Sequence, residues 1–170
     1  MVDKVLFSSN SVEWETPHWL FDELDYKYDF TLDPCCMRTT AKCDKFFTKE
    51  DDGLAQSWEG HTVFMNPPYG RDISKWIEKA YNESLKPDTR VVVLIPARTD
   101  TQYFHDYCVK GHVKFIKGRL KFNKWKWIDG DYLPWMDDNS APFPSMLVFF
   151  GFSFPRQNLQ YKGDYNPIEL

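Results

Sequence analysis

Val91 to Ile95 (VVVLI) is an unbroken apolar run, rich in β-branched side chains and stopped by Pro96. A strand with one wet face alternates apolar with polar residues, so a run without alternation needs cover on both sides. Any fold for this chain must place layers above and below a sheet. Ser145 to Phe152 (SMLVFFGF) makes the same demand late in the chain, and His61 to Met65 (HTVFM) supplies a further strand. Phe30 to Leu32 reads as a short strand ending in Asp33-Pro34, and His112 to Ile116 alternates like a half-exposed one.

Helical patterns lie between these strands. Thr16 suits a helix N-cap and Pro17 the first helical position, with Leu20 and Leu24 on one face. Ile73, Trp76, Ile77, Ala80 and Tyr81 form an apolar stripe over 72–85, with Pro87 just beyond. Thr99 or Asp100 can cap another helix through about Cys108, which Gly111 breaks. Residues 34–60 and 119–142 read as irregular, 1–13 as a loose arm, and the tail from Pro155 as loosely ordered. The alternation predicts one α/β domain over residues 1–170, with a mostly parallel sheet and helices on both faces. Ligands of such sheets bind at the carboxyl ends of the strands. Asp33-Pro34 and Asn66-Pro67-Pro68-Tyr69 stand at two of those ends.

No apolar run approaches the roughly 20 residues of a membrane span. The opening MVDKVLFSSNSVEWE lacks the basic and apolar regions of a secretory signal. Cys35, Cys36, Cys43 and Cys108 contain no CxxC pair, so reduced thiols in a cytoplasmic protein and no metal are expected. The alternative is a metal held by Cys35, Cys43 and a distant His.

The net charge of −4 argues against nucleic acid, but its distribution argues the other way. From Tyr107 to Ile128 the chain carries Lys110, Lys114, Lys117, Arg119, Lys121, Lys124 and Lys126 with no acidic residue. Phe115, Phe122, Trp125 and Trp127 are interleaved, the composition of a surface for phosphates and bases. Lysines that protect a sheet edge would give the same pattern. Arg98, after the Val91–Ile95 strand, is either a phosphate or substrate contact or a surface charge. His105 reads as structural or surface rather than catalytic.

Asn66-Pro67-Pro68-Tyr69 is the segment with chemistry in it. Each proline drives the residue before it out of the helical region, so the tetrapeptide is stiff. It can hold the Asn66 side-chain oxygen and the Pro67 carbonyl as two fixed acceptors, with the Tyr69 ring as a flat face. That set suits a planar group bearing an NH₂. An aromatic amine is a poor nucleophile because its lone pair is delocalised. Accepting hydrogen bonds from both its hydrogens returns the lone pair to nitrogen. Fixed oxygen dipoles then stabilise the positive charge that develops as a methyl group arrives, and positioning lowers the barrier further. A plain rigid turn is the alternative; the position between an apolar strand and a helix favours chemistry.

Taken with this tetrapeptide, further segments carry a resemblance: W-E-T-P-x-x-L-F at 14–21, L-D-P-C at 32–35, A-K-C at 41–43 and F-F-T-K-E-D-D-G-L at 46–54. I-P-A-R-T-D-T-Q-Y-F-H at 95–105, F-I-K-G-R-L-K-F at 115–122 and A-P-F-P-S-M-L at 141–147 follow in order. The chain resembles the small phage N-6-adenine DNA methyltransferases, the phage Dam-type family of NPPY amino-methyltransferases. The resemblance implies a Rossmann-like fold that uses S-adenosylmethionine. It implies that Asn66 and the carbonyl of Pro67, stiffened by Pro68, hold adenine N6. Tyr69 would stack on a flipped base, and Phe122 would be a second stacking face. Asp33, with Pro34, would contact the cofactor's methionine amine. Trp14, Thr16 and Pro17 would cover its amino-acid end, and Asp51 or Asp52 would meet its adenine or ribose. Double-stranded DNA would be the partner, contacted by the basic stretch and Arg98, in the cytoplasm of a bacterial host. Both monomer and homodimer are compatible with the sequence.

Three features depart from the wider methyltransferase pattern. No Gly-rich turn follows the first strand, 34–50 is short for a helix plus a strand, and no separate target-recognition domain fits. The rival readings are transfer to cytosine N4, RNA or a protein glutamine, and a non-catalytic DNA-binding module on the same fold.

Overall fold

The computed structural model describes residues 13–128, 131–135 and 140–154, with the side chains of Glu13 and of residues from 125 to 135 excepted. The arm before Glu13 and the tail from Pro155 lie outside these residues. The elements are β1 (Glu13–Glu15), α1 (His18–Tyr28), β2 (Thr62–Met65), α2 (Ile73–Glu83), β3 (Arg90–Pro96) and α3 (Gln102–Asp106). β4 (His112–Phe115), β5 (Asn123–Ile128), β6 (Asp131–Trp135) and β7 (Ser145–Phe150) complete the described chain.

The central sheet has the order β2-β3-β7-β4. β2 and β3 are parallel, while β7 runs antiparallel to both β3 and β4. The sheet is therefore mixed, and the expectation of a mostly parallel one is corrected. The reversed strand β7 sits between β3 and β4, so two of the three ladders are antiparallel. A strand buried on both faces reads the same in either direction, and only its neighbours reveal the reversal. The expected first strand shrinks to two parallel bridges, Leu32 to Val63 and Asp33 to Phe46.

β3 shows how the layers form. Val91, Val93 and Ile95 pack on one face with Ile73, Ile77 and Ala80 of α2 and Tyr103 of α3. Val92 and Leu94 pack on the other with Leu20, Phe21 and Leu24 of α1. Helices thus cover both faces, as the unbroken apolar run demanded. α1 starts at His18 with Pro17 as its cap residue and without a side-chain cap. Thr16 is not the N-cap; its hydroxyl is committed elsewhere.

Residues 119–142 are not irregular throughout. β5 and β6 pair antiparallel, and β1 adds to β5 to make a second, three-stranded sheet. This sheet carries the Trp14–Thr16 segment to the end of β2.

Candidate active site

Parallel pairing brings the carboxyl ends of β2 and β3 to one edge of the central sheet, where the reversed β7 begins. Asn66 follows β2 at this edge. Its Nδ2 donates to the Trp14 carbonyl at 2.6 Å and to the Thr16 hydroxyl at 3.0 Å. A backbone carbonyl only accepts, so this contact fixes which amide atom is nitrogen. Oδ1 is thereby set to the other side, buried and without a hydrogen-bond partner. A buried acceptor in this state costs roughly 1–3 kcal/mol. Pro67 is buried and Pro68 exposed, and the turn closes through the Gly70 N–H on the Pro68 carbonyl at 3.0 Å.

Around Asn66 the structure assembles aromatic rings. Tyr69 donates its hydroxyl to the Leu94 carbonyl at 3.4 Å, and burial pushes that hydroxyl well above its usual pKa. Its ring meets Phe122 and Phe143 nearly at right angles, with centroids 6.3 and 5.5 Å away. Trp14 packs edge-on to the same two phenylalanines. Trp14, Thr16, Asn66, Tyr69 and Phe122 thus come together from distant parts of the sequence. Phe143 joins them without having been given a role by sequence reasoning. Its signal was its place in the A-P-F-P-S-M-L segment, just before a buried strand.

Asp33 occupies the same edge beside β2. It is 4% exposed, accepting from the backbone N–H of Cys35 at Oδ1 and of Lys42 at Oδ2. Burial raises its pKa to about 6, against those hydrogen bonds. Among the described residues no Lys, Arg or His nitrogen reaches its carboxylate within 4.0 Å. A carboxylate has about four lone-pair sites, so it retains capacity for a cationic group such as a ligand ammonium. Lys42 instead directs its ammonium to Glu15 at 2.8 Å, in a pair almost shielded from water. Glu15 lies between the two residues that hold Asn66, so this ion pair ties the Asp33 loop to the Asn66 clamp. Sequence reasoning assigned neither partner a role.

The acidic turn lies against the same loop. Gly53 approaches Pro34 so closely that a Cβ would fall 2.0 Å from the Pro34 carbonyl oxygen. Asp51 and Asp52 are exposed, and Asp51 accepts through Oδ2 from the N–H and hydroxyl of Thr48, both at 2.8 Å. Asp51 therefore shapes the turn with one oxygen.

The basic stretch divides. Lys117, Arg119 and Lys121 are exposed, beyond the end of β4 at the edge that holds Asn66, and Arg98 is exposed beyond β3. Lys124 is only 6% exposed, and its ammonium lies 5.2 Å from the Trp14 ring centroid. This corrects its expected place on the outer surface: it supports the aromatic group as a cation–π partner. Lys110 lies over Tyr81 and Tyr107, and Lys114 over Phe149 and Phe154. Lys126 is on β5, and its side chain falls outside the described residues. Burial pushes the Cys36 thiol well above its usual pKa and the Cys43 thiol to about 12, so neither is a thiolate near neutrality. Among the described residues no group of three potential metal ligands occurs, and no helix is long and apolar enough to cross a membrane.

A family model described as DNA N-6-adenine-methyltransferase (Dam) matches residues 6–166. The DNA N-6-adenine-methyltransferase of Haemophilus phage HP1 (strain HP1c1) is 30% identical over 152 residues, covering 86% of this chain and 83% of that protein. The DNA N-6-adenine-methyltransferase of Escherichia phage T1 is 27% identical over 139 residues, covering 80% of this chain. The match spans 52% of the phage T1 protein, about half its length. By the match to the family model and to the phage HP1 relative, the chain belongs to the Dam family of DNA N-6-adenine-methyltransferases.

Proposed function

We propose that this protein transfers a methyl group from S-adenosylmethionine to N6 of adenine in duplex DNA, and that the target base is flipped into the Asn66–Tyr69 pocket. The observation that carries this reading is the Asn66 side chain. Its nitrogen is pinned by Trp14 and Thr16, and its oxygen is buried without a partner. A methyltransferase of exocyclic amines needs such an acceptor, preorganised before the substrate arrives.

The residues also fit the methyl donor. Asp33 is a buried carboxylate that lacks a cation, and it suits the donor's methionine ammonium. Pro34 and the Asp51–Asp52 turn border it, and Trp14, Thr16 and Pro17 adjoin Asn66. S-adenosylmethionine, when bound, supplies an electrophilic methyl carbon. Asn66 Oδ1 and the Pro67 carbonyl accept from the two N6 hydrogens and direct the lone pair outward. Positive charge developing on N6 lies against these two dipoles. The alkylated nitrogen is acidic and gives its proton to water. Tyr69 and Phe122 supply the apolar walls for the base, while Lys117, Arg119, Lys121 and Arg98 meet phosphates. The unit acts as one domain, on DNA in the cytoplasm of a bacterial host.

The test is transfer of a labelled methyl group to unmethylated genomic DNA, followed by nucleoside digestion and mass spectrometry. The expected product is 6-methyladenine, with Asn66→Ala reducing turnover by roughly 10²–10³-fold. Methylated cytosine, or unchanged transfer by the variant, would remove the assignment.

A further inference from the structure

Among the described residues, three buried side-chain atoms lack a hydrogen-bond partner: Asn66 Oδ1, Tyr103 Oη and Ser145 Oγ. Tyr103 belongs to the core on the α2 and α3 side. The other two share a face. Phe64, Leu94, Leu147 and Phe149 pack on the α1 side, while Met65, Met146 and Val148 pack on the opposite side. Successive strand residues alternate faces, so Asn66 after Met65 and Ser145 before Met146 both face the α1 side. They also share an edge. Met65 pairs with Val93, and Ser145 pairs with Pro96, the last residue of β3. β3 alone separates them: Asn66 is level with Leu94 and Ser145 with Pro96, so they stand two strand spacings apart across the sheet and two residues apart along it, about 12 Å between backbones. Phe143, two residues before Ser145, is one of the rings against Tyr69.

Ser145 is 1% exposed, and a hydroxyl buried this deeply normally finds a partner. Resting on the base-pocket reading above, we infer that Ser145 is a further base-contacting residue, donating its hydroxyl to N3 of the target adenine while Asn66 holds N6. N6 and N3 lie at opposite ends of the six-membered ring. With a hydrogen bond of about 2.9 Å at each end, the ring covers most of that separation, and the Asn66 and Ser145 side chains lean toward it to cover the rest. The hydroxyl donates and N3 accepts, so the pairing is chemically matched.

The experiment compares wild type with Ser145→Ala on duplexes that carry adenine or 3-deazaadenine at the mapped target position. The variant removes a hydroxyl that holds nothing in the protein, so its melting temperature is expected to equal or exceed that of wild type. On adenine, kcat/KM falls about tenfold. On 3-deazaadenine the wild type shows the same loss, and the substitution adds nothing to it. Unchanged kcat/KM on adenine overturns the inference, and so does an undiminished Ser145→Ala penalty on 3-deazaadenine. A wild-type protein that transfers no methyl group to adenine overturns the base-pocket reading itself, and this is seen before any variant is made.

Discussion

Glu83 and Asp33 are two carboxylates at almost equal depth, 3% and 4% exposed, and they are treated in opposite ways. Glu83 receives the Lys79 ammonium at 2.7 Å, the Lys86 ammonium at 2.8 Å and the Trp58 backbone N–H at 2.8 Å. Burial alone would raise its pKa, yet these partners pull it below the usual value. Asp33 has backbone N–H donors without a paired cation, and burial lifts it to about 6. Glu83 is complete within the chain, fastening the loop around Trp58 to α2. Asp33 is left electrostatically unfinished at the edge where Asn66 also lacks a partner. Similar exposure thus goes with a completed ion pair in one place and, under the proposed function, with a place for a ligand cation in the other, and the partners tell them apart.

Breaking the complete site should give the largest effect. Glu83→Gln leaves two partly exposed lysines facing a neutral amide, and loss of these charge-assisted hydrogen bonds costs about 2–3 kcal/mol. Thermal melting should therefore fall by roughly 10 °C for a chain of this size, with the affinity for S-adenosylhomocysteine unchanged below the transition.

Asp33→Asn should do the reverse. It removes a buried charge but turns one acceptor oxygen into an NH₂ group facing a backbone N–H, so the two effects oppose and melting should change little. Affinity for S-adenosylhomocysteine should fall about 10- to 100-fold, the value of a charge-assisted hydrogen bond. Calorimetric titration of the two variants checks the crossing, and an equal affinity loss in both would erase the distinction.

Acid separates the two groups more gently. Asp33 has a folded pKa above its unfolded value, so its ionisation weakens the fold above pH 6, and that cost fades as pH falls toward about 4. Glu83 has a lowered folded pKa. It stabilises the fold above its unfolded value near 4.5 and loses this contribution below it. Cofactor affinity should thus drop as pH falls through about 6 while the protein remains folded, and Asp33→Asn should flatten that profile.

The smallest change tests the clamp. Thr16→Val removes one of the two acceptors of the Asn66 amide. The Trp14 carbonyl remains, so turnover should fall only several-fold, about 1 kcal/mol, with cofactor affinity little altered.

Much of the layering was legible in the sequence. Val91–Ile95 required cover on both faces, the stripe from Ile73 to Tyr81 gave α2, and the strand, turn and helix around Asn66 lie where the sequence put them. The reversal of β7 was not legible, because burial carries no direction. The second sheet had a local signal in the Lys-Trp-Lys-Trp alternation at 124–127, followed by Asp129-Gly130, a common hairpin dipeptide. It was missed because charged and aromatic residues in a polar stretch suggested a binding surface. The roles of Thr16, Lys42 and Lys124 depend on partners 27 to 110 positions away, which local pattern does not contain.

The Asn66 amide is oriented by a residue 52 positions earlier, on a strand whose own partner begins at Asn123. During synthesis, β1 emerges first and must wait for more than half the chain before it can pair. Closing such a long loop is entropically slow and comes late. The Asn66 oxygen therefore acquires its final direction only near the end of folding, and nascent or truncated chains that lack β5 carry the NPPY tetrapeptide without the strand pairing that orients it.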